Sequence, residues 1–137
     1  LSAGAPVPTQ IRIEDETALI EVRRLVSEAA HGLGFGLVEH TKLITACSEL
    51  TRNIIEHAGS GTVLIEILRE STRAGIRLTF SDSGPGIADV DLAMQEGYSS
   101  ARGMGMGLPG AKRLTHQFSI ESEPGRGTSI VIAMWKR

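Results

Sequence analysis

The sequence predicts a two-layer α/β sandwich, with a mixed, mostly antiparallel sheet and helices packed on one face. Three observations predict it. Short alternating apolar runs recur along the chain, two long runs with helical spacing stand together near its start, and turn residues join the strands in pairs. The resulting order, β-α-α-β-β-(α)-α-β-β, makes neighbouring strands antiparallel and leaves one sheet face for the helices to cover. With 137 residues, 41% hydrophobic and 22% charged, the chain reads as one globular domain, residues 1–137, with a single sizeable core.

Each element has a local reason. "VPTQIRIE" (7–14) predicts a strand, with Ile11 and Ile13 alternating against polar neighbours. "DETALIEVRRLVSEAAHGLG" (15–34) predicts a helix with an acidic first turn and glycines at its end, as the dipole and capping favour. "LVEHTKLITACSELTRNIIEHAG" (37–59) predicts a second helix closed by Gly59, with Leu43, Cys47, Leu50 and Ile54 as its apolar stripe. "SGTVLIEILRE" (60–70) and "AGIRLTFSDSG" (74–84) predict a hairpin turning through "STRA". Residues 85–105 are the least regular, with a helical turn or two at 89–96. "LPGAKRLTHQF" (108–118) predicts a short helix with Pro109 in its first turn, and 119–135 a closing hairpin turning at Pro124-Gly125.

Composition excludes several function classes. The formal net charge of −2 offers no nucleic-acid surface, and the basic residues are scattered rather than gathered into a membrane-binding run. No apolar stretch approaches the roughly 20 residues of a membrane span, and no signal peptide is visible. Cys47 is the one cysteine, so no internal disulfide is possible and a cytoplasmic location is expected. His31, His40, His57 and His116 fall into no metal-ligand spacing with Cys47; surface or cap roles suit them. Met94 and Trp135 read as core, while Met104 and Met106 are open between core and a partner surface.

Four segments carry chemistry. "GMGMGLPG" (103–110) has four glycines and a proline before a helix, the composition of a backbone that an anion approaches closely. Gly105, Gly107 and Gly110 match the dinucleotide fingerprint, but the polar "EGYSSARGM" before them is not the strand that fingerprint follows. No Walker A loop occurs. Glu49 and Asn53 lie four residues apart, which places a carboxylate and an amide on one helix face beside the apolar stripe. Such a pair suits a metal-bound triphosphate or, taken alone, a solvated helix face. "SDSGPG" (81–86) ends a strand with Asp82, either a plain turn or a carboxylate that accepts an exocyclic amine such as adenine's. "GRGTSIVI" (125–132) brings Thr128 onto the last hairpin, either for strand propensity or to assist the same base.

In order, "E-x-x-x-N", "D-x-G-x-G", "G-x-G-x-G" and "G-x-G-T" across residues 49–128 resemble the N, G1 and G2 boxes and closing threonine of the GHKL (Bergerat-fold) ATPases. The resemblance implies ATP and Mg²⁺, with Glu49 as general base and Asn53 as the Mg²⁺ ligand. It implies that Asp82 binds adenine with help from Thr128 and that Gly84 and Gly86 let the base approach. Gly103, Gly105, Met106, Gly107 and Leu108 would wrap the phosphates. A lid would span about 88–104, where Arg102 is either an exposed loop arginine or the cation that reaches the terminal phosphate. The chain's length and tail resemble the small bacterial protein-serine kinase and anti-sigma factor branch, above all RsbT-type stressosome switch kinases. That likeness implies phosphorylation of a STAS-domain antagonist or scaffold protein and, on release, activation of a downstream phosphatase. The alternative is a nucleotide-dependent anti-sigma or partner-binding module with little catalysis. A detached histidine-kinase domain is a third reading, separable by the acid lability of its product.

Overall fold

The computed structural model describes residues 8–87, 90–95 and 107–136. Strand β1 (Thr9–Ile13) leads into helices α1 (Glu16–Leu33) and α2 (Leu37–Asn53), and α2 continues as a π-helical turn (Ile54–Ala58). Strands β2 (Gly61–Glu70) and β3 (Arg73–Asp82) follow. Then come one turn of helix α3 (Val90–Ala93), helix α4 (Gly107–Leu114) and strands β4 (Gln117–Glu123) and β5 (Gly127–Trp135). The sheet order is β1-β2-β3-β5-β4, and the four pairings are all antiparallel. The closing hairpin inserts its second strand beside β3 and leaves β4 on the edge.

Register builds the core row by row. Val63, Phe80 and Ile130 stand opposite one another, then Ile65, Leu78 and Ile132, then Ile67, Ile76 and Met134. Alternation puts all nine on one face. Against them pack Val22, Val26 and Ala30 of α1, Leu43, Cys47 and Leu50 of α2, and Leu108 and Ala111 of α4. Fully burying one aliphatic side chain contributes about 1.5–3 kcal/mol, so these rows dominate the energetics. Trp135 is buried as expected, on the opposite sheet face, with the Arg73 guanidinium 3.6 Å from its ring centroid. No helix among the described residues is long and apolar enough to cross a membrane.

The helix ends follow capping chemistry. Asp15 caps α1 by accepting the Thr17 N–H at 2.9 Å. At the other end Gly34 turns left-handed at φ 81°, and the Gly34 and Phe35 N–H groups donate to His31 and Ala30 carbonyls. That is a Schellman closure, and it satisfies the Ala30 and His31 carbonyls internally.

Three boundaries differ from expectation. The second helix does not run as α-helix to Gly59; it widens after Asn53, and the Gly59 N–H reaches back five residues to the Ile54 carbonyl at 2.9 Å. The helix expected over 108–118 stops at Leu114, because Gln117 and Phe118 are taken into β4 opposite Ala133 and Ile132. The first strand is shorter than 7–14 at both ends of its described part, Thr9–Ile13.

Candidate functional site

Asp82, Thr128 and the π-helical end of α2 come together at the end of the sheet where β3 finishes. Asp82, the last residue of β3, stands opposite Gly61 on β2 and Thr128 on β5, one row beyond Phe80 and Ile130 on the helix-covered face. Its Oδ1 accepts the Gly84 N–H at 2.9 Å, which folds the following turn tightly.

The sequence reading assigns Gly84 and Gly86 to an approaching base. In the structure both directions are filled by the chain itself. A Cβ on Gly84 would lie 2.7 Å from the Ala58 Cβ, and one on Gly86 would lie 2.1 Å from the Glu123 carbonyl oxygen. Gly84 thereby seats the turn on the π-helical end of α2. Gly86 seats it on the β4–β5 turn, where the Gly125 N–H donates to the Pro85 carbonyl at 2.7 Å. Gly127, the second glycine of the G-x-G-T motif, to which the sequence reading gives no role of its own, is held most tightly. Its φ is 104°, and a Cβ there would lie 2.0 Å from the Asp82 carbonyl oxygen. Its signal in the sequence is its place directly before Thr128.

Thr128 and Ser122 form the other wall. Their hydroxyl oxygens are 2.8 Å apart; Ser122 Oγ also lies 3.1 Å from the Gly127 carbonyl and accepts the Ile87 N–H at 2.7 Å. A serine hydroxyl has one proton and two lone pairs. All three contacts are satisfied only when Ser122 donates to Gly127 and accepts from Ile87 and Thr128. Thr128 then has its proton committed and offers lone pairs beside the Asp82 carboxylate. Two acceptors side by side suit a ligand that presents an amine.

On α2 the Glu49 side chain is 17% exposed, and Arg52 Nη1 lies 3.7 Å from its Oε1. Asn53 is half-buried one turn further along, at the last residue before the π-helical turn. Arg52 is a cation that the sequence reading misses; its signal is the three-residue spacing from Glu49. Helix α4 packs against α2, the helix that carries Glu49, and Gly107 and Leu108 at its start are buried. His57 is exposed in the π-helical turn. Arg102, Gly103, Gly105 and Met106 lie outside the described residues, as does most of the expected lid over 88–104.

The donor set can be tested against a metal ion. Among the described residues no cluster of three or more His, Cys, Asp or Glu side chains could cage one. An ion at Asn53 would take one amide oxygen from the protein and its remaining ligands from phosphate and water. That set fits Mg²⁺, which dehydrates reluctantly and uses few protein ligands.

Comparison with known proteins adds sequence and fold evidence. Residues 38–137 match the family described as histidine kinase-, DNA gyrase B- and HSP90-like ATPase. Over 127 residues the chain is 41% identical to the serine/threonine-protein kinase RsbT of Bacillus subtilis (strain 168), covering 93% of this chain and 96% of that one. It is 31% identical over 100 residues to an anti-sigma F factor of Pasteuria penetrans, covering 69% of this chain and 67% of that protein. Among solved structures, the RsbU and RsbW domains of Rv1364c from Mycobacterium tuberculosis share the fold, with a TM-score of 0.66 at 18% identity. That match covers 96% of this chain, which spans about a third (33%) of the longer one.

Proposed function

The chain belongs to the histidine kinase-, DNA gyrase B- and HSP90-like ATPase family, and on that premise we propose that it is an ATP-dependent serine/threonine protein kinase. Its substrate is a hydroxyl on a STAS-domain antagonist or scaffold protein, and its release from that protein frees it to activate a phosphatase. Its place is the cytoplasm. The observation that carries the reading is Glu49, a partly buried carboxylate on the helix face shared with Asn53. A module that only binds nucleotide has no use for a base there. The 41% identity to a serine/threonine-protein kinase over nearly the whole of both chains supports it.

In this reading four residues divide the work. Asp82 and Thr128 accept the exocyclic amine of adenine and fix the nucleotide's orientation. Asn53 would hold Mg²⁺, which when bound neutralises charge that develops on the phosphates. Glu49 accepts the proton of the attacking serine or threonine hydroxyl. The bond from that oxygen to the γ-phosphorus forms as the bond from the γ-phosphorus to the bridging oxygen breaks, and ADP leaves.

The test is transfer of label from γ-labelled ATP to purified STAS-domain proteins. An acid-stable product is expected, since phosphohistidine would not survive acid. Glu49→Ala should slow transfer by roughly 10²–10⁴-fold while ATP affinity is nearly kept. Wild-type transfer by that variant would defeat the enzyme reading. A partner-binding module would then stand in its place, the reading that the likeness to an anti-sigma F factor favours.

A further inference from the structure

Ser122 has no task in the proposed chemistry, yet it stands in the row that carries the base contacts. Ser122, Thr128 and Asp82 lie opposite one another across β4, β5 and β3, on the helix-covered face. Ser122 is half-buried, and its Oγ meets three groups. The Ile87 nitrogen is 2.7 Å away, the Thr128 hydroxyl oxygen 2.8 Å and the Gly127 carbonyl oxygen 3.1 Å.

A serine here has a plain explanation: it accepts the Ile87 N–H, which would otherwise lack a partner. Any short side chain with an acceptor oxygen serves that end. What a serine adds is one proton, and the geometry leaves one place for it. Two oxygens at hydrogen-bond distance need a proton between them, because facing lone pairs repel. The Gly127 carbonyl has no proton to give, so Ser122 donates to it. Thr128 must then donate to Ser122. A threonine hydroxyl in the open turns freely and both donates and accepts. This one only accepts from a ligand.

The backbone holds that arrangement from two sides. Gly127 is left-handed at φ 104° with its α-carbon pressed toward the Asp82 carbonyl, which fixes the peptide whose oxygen Ser122 bonds. The segment that carries Ile87 is tied to the same β4–β5 turn a second time, by the Gly125 N–H donating to the Pro85 carbonyl at 2.7 Å.

The direction of the chain has a chemical consequence. Adenine presents an amine at its sixth ring position; hypoxanthine, otherwise alike, presents a carbonyl there and carries a proton on the neighbouring nitrogen. An amine placed against Asp82 and Thr128 finds two acceptors. A carbonyl in the same place finds only lone pairs. Were Thr128 free to turn, it could donate to that carbonyl and readmit the wrong base. We infer that Ser122 is a specificity-determining positioning residue: it holds Thr128 as an acceptor, so that the site selects a 6-amino over a 6-oxo purine. Its effect runs wholly through Thr128. The inference rests on the proposed adenine contacts of Asp82 and Thr128, and it is independent of phosphoryl transfer.

The test measures the affinities of the full chain for ATP and for inosine triphosphate, its 6-oxo counterpart, by calorimetry with Mg²⁺. Wild type should prefer ATP by about tenfold or more. Ser122→Ala frees the Thr128 proton, and the preference should narrow by roughly three- to tenfold, the worth of one hydrogen bond, through a gain in inosine triphosphate affinity. A serine that only supports the fold predicts another pattern, in which both affinities fall together and their ratio stays. Ser122→Thr keeps the hydroxyl and should keep the preference. Ser122→Cys matches serine in shape but accepts weakly, so it should narrow the preference too and serves where the alanine variant does not fold. In a Thr128→Val background, Ser122→Ala should move the ratio by less than about twofold, because the hydroxyl it acts through is gone. A ratio within about twofold of wild type in the folded alanine or cysteine variant overturns the inference. So does an undiminished narrowing in the Thr128→Val background, a preference lost equally in Ser122→Thr, or a wild type that binds both nucleotides alike. Failure of the proposed nucleotide site looks different: wild type then binds neither nucleotide, and this inference falls with it.

Discussion

Asp82 can lose its charge without losing its place. It ends β3, it is only half-buried, and its Oδ1 accepts the Gly84 N–H in a role that an asparagine oxygen fills equally well. Asp82→Asn should therefore fold and yet bind ATP more weakly, by about 1.5–3 kcal/mol or roughly 10- to 150-fold, the usual cost of losing a charged hydrogen bond. Calorimetry that finds unchanged affinity in the folded variant removes Asp82 from the site. Cys47 shows the opposite condition, a reactive group made inert. Burial beneath the sheet pushes its thiol up from 9.0 to about 12, against a smaller opposing effect of Arg23. An unfolded chain sheds that proton first, so stability from this group is complete below pH 9.0 and is lost progressively as pH rises toward about 12. A thiol reagent should leave the native protein unmodified and label it fully in denaturant. Rapid native labelling would mean that α2 lifts from the sheet. The motif order made Asp82 legible as a site candidate. Arg52 was legible beside Glu49 only as a three-residue spacing, because whether an ion pair forms across one helical turn depends on where two long side chains settle.

At the scale of elements, two glycines make opposite predictions. Gly127 starts β5 in a left-handed conformation with its α-carbon pressed toward the Asp82 carbonyl. Gly127→Ala should cost roughly 1–3 kcal/mol, the range for a strained backbone position, and should weaken nucleotide binding as well. A chemical denaturation midpoint equal to wild type would mean that no close approach exists between β5 and the end of β3. Gly32 has an ordinary helical conformation and open space above it. Gly32→Ala should raise stability by roughly 0.5–1 kcal/mol, because alanine removes the entropic penalty of glycine in a helix. The misplaced end of α4 has an equally specific cause. Thr115 back-bonds to the Ala111 carbonyl at 3.0 Å, and the next residue leaves the helix altogether. The His116 N–H donates to Ala133, and its Nδ1 accepts the Trp135 N–H at 2.9 Å. Residues 117–118 suit a helix locally; pairing with β5 overrides that preference.

For the molecule as a whole, the proposed kinase should let go of what it phosphorylates. A transferred phosphoryl group adds about −1.5 to −2 charges to the substrate, beside Glu49 and the phosphates of ADP. It also fills space that admitted a hydroxyl. Each 1.4 kcal/mol of lost binding is about tenfold in affinity, so modest repulsion suffices to exchange partners. Binding of phosphorylated and unphosphorylated antagonist, compared with ADP and Mg²⁺ present, should differ by tenfold or more. Equal affinities would leave a kinase without a switch. The order of elements, the apolar stripe of α2 and the four glycine- and acid-bearing motifs were all determined by the sequence alone, since periodicity and turn chemistry act over a few residues. Tertiary structure decided which glycines face the chain, why α4 ends at Leu114, and that the Arg73 guanidinium stacks on Trp135. Those outcomes depend on strand register, which brings Arg73 beside Trp135 from across half the chain, and no local propensity encodes that distance.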